Sequence, residues 1–514
     1  MADLIRLVRA AEARYPSRPA VRAGGQTLLY AHTADRSNRA ATLLRSLHGT
    51  EDGIVALLVG NRLEAVELDI ALIKAALGRI SLNPRLSYDE MRYIIADSGT
   101  RVLVYAPEYA AIVEQLAREF PGLQLVGLGT SGSGPGRRYE DELQAASPLT
   151  TVPDVNGGAP SLLMYTSGTT GRPKGATWTF ASRGAGTINM LVNELTPHAA
   201  RNMAHVGSLS HGSGSKVVPV YLRGGCNTVL TRFDPDEFLA SANELGITAT
   251  FVVPTMVKML LDAAESLPGN PLSTMHHICY GGAKMPLGTI EAALERFGDR
   301  FFQVYGSCEA PHPMLFLSLE DHATRDPRIL SSAGRPAIGV DLRIGDLETT
   351  PTPGAQGEIL LRSPSLMSGY WNSPEATAEA FEDGYYRTGD VGVIHDDGLV
   401  EIVDRIKNMI ISGGYNVYPA EVERVLAAHP KVAQASVYGL DHPHWGEIVA
   451  AAIIPRESGV TEDELSRYCG EHLAGYKKPR AFRFVEQFPL GSTAKILSAD
   501  LRRAHGAALL EETR

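Results

Sequence analysis

Long apolar runs, paired cysteines and an excess of positive charge are all missing from this 514-residue chain. Because no stretch of about 18 uncharged apolar residues occurs, the sequence predicts no integral membrane segment. The four cysteines form no C-x-x-C pair, so neither a zinc knuckle nor a redox pair is indicated. A formal net charge of −10 and the lack of a basic patch argue against a nucleic-acid partner. Scattered cysteines without an export signal predict a cytoplasmic protein.

The composition is that of a folded globular protein. Hydrophobic residues make up 44% of the chain and charged residues 21%, which excludes a disordered chain and a coiled coil. At roughly 150 residues per domain, the length predicts two or three folding units.

Strand and helix patterns alternate through most of the chain. Residues 54–59 and 102–105 are typical of short buried strands, and residues 63–75 and 88–97 of helices. Such alternation favours mainly parallel sheets, which bind ligands where their strands end. Around residues 340–403 the pattern becomes all strand, with a hairpin predicted from residues 391–394 and 399–403 around the turn Asp396-Asp397-Gly398. The pattern changes again after about residue 407, where a helix is predicted at 419–427 and strands at 432–438 and 448–454.

We therefore predict an α/β fold of two domains. The large N-terminal domain, residues 1–406, holds stacked α/β sheets and a β-rich subdomain. The small C-terminal domain, residues 407–514, is a mobile α+β module.

The segment with the most chemical information is residues 165–175, Tyr-Thr-Ser-Gly-Thr-Thr-Gly-Arg-Pro-Lys-Gly, which follows an apolar strand. Glycines let backbone N–H groups turn toward an anion, hydroxyls donate to phosphate oxygens and lysine adds a positive charge. The spacing is not that of a Walker P-loop. The segment therefore predicts a phosphate-binding loop of a different kind.

Further motifs follow in order along the chain. They are Tyr-Gly-Ser-Cys-Glu at 305–309, Tyr-Arg-Thr-Gly-Asp at 386–390, Asp-Arg-Ile-Lys-Asn-Met-Ile at 404–410, Ser-Gly-Gly-Tyr-Asn-Val-Tyr-Pro at 412–419 and Ser-Thr-Ala-Lys-Ile at 492–496. Together with the loop at 165–175, they resemble the signature motifs of the adenylate-forming superfamily, which includes acyl- and aryl-CoA synthetases. The resemblance covers essentially the whole chain.

The resemblance implies a set of ATP-binding residues: Thr166, Ser167, Gly168, Thr169, Thr170, Lys174, Gly282, Ala283, Tyr305, Gly306, Ser307, Cys308, Asp390, Arg405 and Lys495. Glu309 is the expected Mg²⁺ ligand, helped by Thr166, because hard cations prefer oxygen ligands. Tyr305 is expected to stack on adenine and Asp390 to bind the ribose. Lys495, Thr166, Glu309 and His211 are the expected catalytic residues, with Lys495 stabilising the charge that develops at the α-phosphate.

The resemblance also implies an acyl pocket, a hinge and a channel for the acceptor. Ser210, His211, Gly281 and Cys308 are expected at the acyl pocket, with Lys216 and Lys284 as nearby cations. Lys407 is the expected hinge, and the channel is formed by Gly413, Gly414 and Tyr415. Cys308 departs from the family's usual threonine or serine and Ala494 from its usual glycine.

The expected activity is that of an AMP-forming carboxylate–CoA ligase that uses ATP and Mg²⁺, with CoA as the co-substrate. A carboxylic acid is activated as an acyl-adenylate with release of pyrophosphate, and CoA then takes the acyl group. Two alternatives stay open: transfer to a carrier-protein thiol or an amine, and activation of another oxyanion such as nitrite, as in diazo-forming relatives. The expected oligomeric state is a monomer or a homodimer.

Overall fold

The computed structural model describes residues 3–49, 53–129, 134–166, 173–345, 347, 353–412, 415–442, 445–456, 459–489, 496–498, 500–504 and 506. It divides into two compact units, residues 1–342 with 361–386 and residues 343–360 with 387–514. Across the described residues, every helix is too short or too polar to span a bilayer. The four cysteines, all described, form no disulfide bond.

The first unit contains a sheet whose centre is parallel. Its described strands, in spatial order, are Arg335–Pro336, Leu315–Leu317, Phe301–Tyr305, His277–Gly281, Ala249–Val252, Asn202–His205, Cys226–Val229, Pro19–Ala23 and Gln26–Leu29. The strands from Phe301–Tyr305 to Pro19–Ala23 run parallel to their neighbours. Their carboxyl ends therefore meet at one edge of the sheet.

A second sheet of the first unit carries the predicted phosphate-binding segment. Its described strands, in spatial order, are Gly369–Tyr370, Lys174–Thr179, Pro160–Thr166, Gly78–Ser81, Ile54–Leu58, Val102–Tyr105, Gln124–Gly127 and Arg137–Arg138. Ile54–Leu58 is buried along its whole length, as expected for a parallel strand that is covered on both faces. Pro160–Thr166 and Lys174–Thr179 are antiparallel and flank residues 167–172.

Helices cover these sheets. They are Leu4–Arg14, Tyr30–His48, Leu63–Ala75, Tyr88–Ser98, Ala110–Glu119, Tyr139–Ala145, Phe180–Asn193, Val217–Leu222, Pro235–Ser241, Pro254–Ala264, Leu287–Phe297, Leu319–Ala323, Pro327–Leu330 and Pro374–Ala380. Local sequence explains their ends: Tyr88–Ser98 begins after a Ser87–Glu90 capping box and ends at Gly99, whose φ is 63°. The apolar helix Leu63–Ala75 is almost entirely buried.

A buried ion cluster joins the helices of the first unit to its second sheet. Asp69 accepts two hydrogen bonds from Arg183, at 2.7 and 2.9 Å, and pairs with Arg79 at 2.9 Å. Burial alone raises the pKa of Asp69, but the two guanidinium groups outweigh it and the net shift is downward. The carboxylate therefore stays charged inside the unit, and removing one arginine partner would be costly.

The second unit is an α+β module. Tyr415–Val417, Ile410–Ser412, Gly446–Pro455 and Val432–His442 form an antiparallel sheet, and Ala481–Phe484 adds to it in parallel. The helices Pro419–Ala427 and Glu462–His472 belong to this unit. The chain passes between the two units within Asp341–Ile344, Gln356–Arg362 and Tyr385–Ile394.

Within the second unit, the last five residues of Tyr385–Ile394 pair with Val400–Arg405, which confirms the predicted hairpin. The predicted mixed α/β fold, with a large N-terminal part and a smaller C-terminal part, is confirmed as well. The compact units divide at other residues than the predicted boundary at 406/407. The predicted boundary at 406/407 refers to the hinge about which the C-terminal domain is expected to rotate, and it stays a prediction.

Candidate active site

The candidate site of the first unit lies where four neighbouring parallel strands end. These strands end at His205, Val252, Gly281 and Tyr305. The segments that follow them contain most of the residues expected at the ATP site and the acyl pocket. The carboxyl edge of a parallel sheet is the usual position of a ligand site in α/β proteins.

A tight turn after Tyr305 fixes the direction of Glu309. The backbone N–H of Ser307 donates to the carbonyl oxygen of Ala310 at 2.8 Å. The Ser307 hydroxyl accepts from the N–H groups of Glu309 and Ala310, at 3.2 and 3.1 Å. A Cβ atom on Gly306 would lie 2.6 Å from the backbone nitrogen of His312, so the turn needs glycine there. The order Gly306-Ser307 thus has a structural reason.

Two tyrosines surround Glu309. The Tyr370 hydroxyl donates to Oε1 of Glu309 at 3.1 Å, and the Tyr386 hydroxyl interacts with Ser307 and Tyr370. Burial, and then the negative charge of Glu309, raise the pKa of both phenols above the ordinary value. Both hydroxyls therefore stay protonated, and Tyr370 remains a donor to the carboxylate.

Thr166 and Lys174 flank the predicted phosphate-binding loop, and contacts link them to Tyr370. The Thr166 hydroxyl is 3.4 Å from the carbonyl oxygen of Lys174, and the Lys174 ammonium lies 5.4 Å from the centre of the Tyr370 ring. A cation at that distance from a ring is weakly attracted to it. The chain of contacts Thr166, Lys174, Tyr370, Glu309 brings together residues that the sequence places far apart.

The oxygen-rich donor set fits Mg²⁺. Glu309 supplies a carboxylate and Thr166 a hydroxyl, and hard cations of this size prefer such oxygens. The hydrogen bond from Tyr370 uses one edge of the carboxylate at Oε1 and orients the group.

His211 lies in a loop rich in hydroxyls. Its Nδ1 is 2.8 Å from the Ser210 hydroxyl, which is 2.7 Å from the hydroxyl of Ser208. Ser210 thus orients the His211 ring directly. The tight loop also requires Gly214, because a Cβ there would lie 1.9 Å from the carbonyl oxygen of Leu209.

The remaining residues expected at the acyl pocket and ATP site follow the adjacent strands. Gly281 ends its strand, and a Cβ there would lie 2.5 Å from the carbonyl oxygen of Val304. Gly282 has a φ of +84°, a value that favours glycine, and Ala283 follows it. The indole N–H of Trp178 donates to the carbonyl oxygen of Cys308 at 2.7 Å.

One expected pocket cation is placed differently. Lys216 is fully buried and forms an ion pair with Glu194, which is also buried. Its charge is therefore already matched, and Lys216 does not act as an exposed cation for a substrate carboxylate.

In the second unit, Asp390 and Arg405 pair with each other. Asp390 is 5% exposed, and its Oδ1 lies 2.7 Å from Nε of Arg405 on the adjacent strand. Lys407 is exposed on the short 3₁₀ helix Ile406–Asn408. Tyr415 stacks on Tyr476 with ring centres 4.7 Å apart.

Several predicted site residues lie outside the described part of the chain: Ser167, Gly168, Thr169, Thr170, Gly413, Gly414 and Lys495. Their roles stay predictions. Conversely, the structure adds Tyr370 and Tyr386, which sequence reasoning missed as site residues. Tyr386 begins the 386–390 motif, a signal that was present, whereas Tyr370 belongs to no motif recognised in the sequence.

Comparison with known proteins identifies the class. The family of AMP-binding enzymes matches residues 8–371, and its C-terminal domain matches residues 421–495. Fold and site together define an adenylate-forming enzyme. The chain belongs to the AMP-binding enzyme family of the adenylate-forming superfamily, as the ordered motifs predicted.

Three relatives illustrate the likeness. Feruloyl-CoA synthase of Amycolatopsis sp. is 36% identical over 498 residues, which is 96% of each chain. The structure of o-succinylbenzoate CoA synthetase from Bacillus subtilis with its acyl-adenylate intermediate is 28% identical, with a TM-score of 0.84 over 98% of each chain. The structure of the amide bond synthetase McbA from Marinactinospora thermotolerans is also 28% identical, with a TM-score of 0.87 over 98% of this chain and 99% of McbA.

Proposed function

We propose that this protein is an ATP-dependent, AMP-forming carboxylate–CoA ligase. The observation that carries the proposal is similarity along 96% of the chain to a CoA synthase, with Glu309, Asp390, Arg405 and Lys495 at the expected motif positions. The proposed substrate class is a small-to-medium aryl, alicyclic or acyl carboxylate.

In the first half-reaction, a carboxylate oxygen of the substrate forms a bond to the α-phosphorus of ATP. The bond between that phosphorus and the bridging oxygen of pyrophosphate breaks, and pyrophosphate leaves with the electron pair. Positioning and charge neutralisation supply most of the rate enhancement in such transfers. His211 is proposed to orient the carboxylate, and Lys495 is proposed to stabilise charge at the α-phosphate.

Lys174 and residues 166–170 are proposed to bind the phosphates of ATP. Glu309 and Thr166 are the residues that would hold Mg²⁺, which neutralises phosphate charge when bound. Tyr370 keeps the Glu309 carboxylate oriented by its hydrogen bond of 3.1 Å. A carboxylate fixed in this way needs little reorganisation when ATP arrives.

In the second half-reaction, the CoA thiolate attacks the carbonyl carbon of the adenylate, and AMP leaves with the former carboxylate oxygen. Rotation of the C-terminal domain about Lys407 is proposed to bring the 413–415 segment to the adenylate. Lys407 is exposed, so its backbone can change without breaking a packed core.

The test is pyrophosphate release with a panel of carboxylates, measured with and without CoA, and with mass detection of the thioester. We expect acid-dependent pyrophosphate release and formation of an acyl-CoA. Release without any thioester would contradict the ligase assignment and favour another acceptor.

A second acceptor class has a specific observation in its favour. The likeness to an amide bond synthetase supports an amine as an alternative acceptor. Replacing CoA by amines, or by a carrier protein bearing a phosphopantetheine thiol, in the same assay distinguishes the two. The cytoplasmic location and the oligomeric state stay predictions.

A further inference from the structure

His312 lies beside the segments expected to form the acyl pocket. It follows Glu309 by three residues, on the loop after the strand Phe301–Tyr305. Its ring stacks on Phe251, at 5.4 Å between centres and 2° between planes. Phe251 in turn borders Gly212, the neighbour of His211, because a Cβ at Gly212 would lie 2.9 Å from its ring. The partly buried His312 ring is therefore at the same sheet edge as the expected carboxylate site.

A buried ion pair lies next to the His312 ring. Lys216 and Glu194 are 0% and 3% exposed and are in direct contact. Burial alone raises the pKa of Glu194, but the Lys216 charge outweighs it and the net shift is downward, so the carboxylate is ionised. The ammonium also lies 3.0 Å from Nδ1 of His312.

The nearby cluster of Glu194, His277 and Cys279 could in principle bind a metal, since its ligand atoms lie within 4.8 Å of one another. Lys216 already contacts both carboxylate oxygens of Glu194. Burial raises the pKa of the Cys279 thiol, which therefore stays protonated. The cluster is consequently an ion pair with neutral polar neighbours.

The contact with Lys216 determines the tautomer of His312. An ammonium has only donors, so Nδ1 must accept and the ring proton must be on Nε2. Burial and the adjacent Lys216 charge lower the pKa of His312 to about 3, so the ring is neutral at physiological pH. The ring thus presents one fixed N–H donor.

The hydrogen bond that this Nε2–H group makes in the structure is long. Nε2 is 3.3 Å from the Ser215 hydroxyl, which itself donates to the carbonyl oxygen of Gly212 at 2.7 Å. Good hydrogen bonds of this type are nearer 2.9 Å. Nε2–H and the Ser215 oxygen therefore form a small polar spot among the segments expected to line the acyl pocket.

We propose that His312 is a specificity-determining residue that donates a hydrogen bond from Nε2 to an oxygen on the acyl group, away from the reacting carboxylate. This inference rests on the proposed function. The oxygen belongs to a hydroxyl, ether or carbonyl group, because the neutral imidazole offers one N–H donor and the adjacent Lys216 is already paired with Glu194, so this position holds no positive charge for a second carboxylate. The substrate is therefore a carboxylic acid with a neutral oxygen substituent that contacts His312.

The test compares matched acids that differ by one oxygen substituent. Benzoate and cinnamate are paired with their 2-, 3- and 4-hydroxy and methoxy derivatives, and kcat/KM for pyrophosphate release is measured for each. Wild-type protein should prefer at least one oxygenated acid. His312→Leu should reduce that preference about tenfold, the usual effect of losing a hydrogen bond in a dry pocket. His312→Gln, which keeps an N–H donor, should retain most of it.

His276→Gln, a change at an exposed histidine of the same unit, is the matched control and should leave the preference unchanged. If His312→Leu slows both members of every pair equally, His312 is only a packing residue and the inference fails while the proposed function stands. If His312→Leu misfolds, His312→Met decides through the same ratio, because methionine fills the space but has no N–H donor. If wild-type protein activates no acid at all, the proposed function fails first and the inference fails with it.

Discussion

Tyr370 and Glu309 illustrate how a site depends on contacts that are distant in sequence. Their hydrogen bond joins residues 61 positions apart and holds a carboxylate that would otherwise rotate freely. Glu309 could be predicted because it ends an ordered motif at 305–309. Tyr370 could not, because its role arises only when the strand Gly369–Tyr370 pairs with Lys174–Thr179.

We predict that Tyr370→Phe lowers the affinity of the enzyme for Mg²⁺ and ATP without unfolding the protein. Loss of one hydrogen bond to a charged group should reduce kcat/KM for ATP about tenfold. Mg²⁺ titrations of the pyrophosphate-release rate measure the effect. Tyr385→Phe is the matched control, since Tyr385 donates to a different carboxylate, Asp341, at 2.6 Å. Equal Mg²⁺ titrations for wild type and Tyr370→Phe would refute the role given to Tyr370.

Helices and strands with a clear periodic pattern were predicted closely. The predicted helices at 63–75 and 419–427 have the same bounds in the structure. The strands predicted at 432–438 and 448–454 are longer, Val432–His442 and Gly446–Pro455. The extra residues include Asp441 and Glu447, whose side chains do not follow a strand pattern. Their backbones pair across the hairpin all the same, and such pairing leaves no local signal.

Glu423 belongs to the helix Pro419–Ala427, and its side chain contacts the strand Val432–His442. Its Oε1 accepts from the backbone N–H of Val437 at 2.7 Å. Burial raises the pKa of Glu423 to about 7, with a further upward contribution from Asp404. Since the carboxyl titrates near 4.5 in the unfolded chain, this group favours folding most at low pH, and its contribution is lost as the pH rises through about 7.

We therefore predict that Glu423→Gln raises the thermal unfolding temperature of the second unit at pH 8 and changes it little at pH 4.5. Glutamine keeps the acceptor for Val437 but carries no charge to desolvate. Calorimetry at both pH values checks this, with Glu471→Gln, at an exposed carboxylate of the same unit, as the control. A Glu423→Gln variant that is less stable at pH 8 would contradict this prediction, because it would show that burying the charged carboxylate does not destabilise the folded unit.

The arrangement of the whole chain explains why the predicted domain boundary differs from the compact units. Residues 343–360 join the C-terminal unit, where Glu358 pairs with Arg387 at 2.7 Å and accepts from the N–H of Gly389 at 3.0 Å. Pairing between strands separated by a long segment is set by tertiary structure. The composition change near residue 407 indicates a C-terminal domain, and the boundary at 406/407 stays a prediction.

The net charge of −10 bears on the binding of ATP and CoA, which are polyanions. A negative overall field does not attract such ligands, so their affinity must come from local groups. The described candidates are Lys174 and Arg405, joined by Lys495 and the 167–170 loop from outside the described residues. Lys216, although near the expected pocket, is paired with Glu194 and takes no part in this attraction.

The most direct measurement follows the fate of a substrate carboxylate labelled with oxygen-18. If the acid is activated as an adenylate and then captured by CoA, the bridging oxygen leaves with AMP. Mass spectrometry should then find one labelled oxygen in each AMP, with acyl-CoA formed in equal amount. Label that appears in inorganic phosphate, with ADP in place of AMP, would contradict adenylation and with it the central claim.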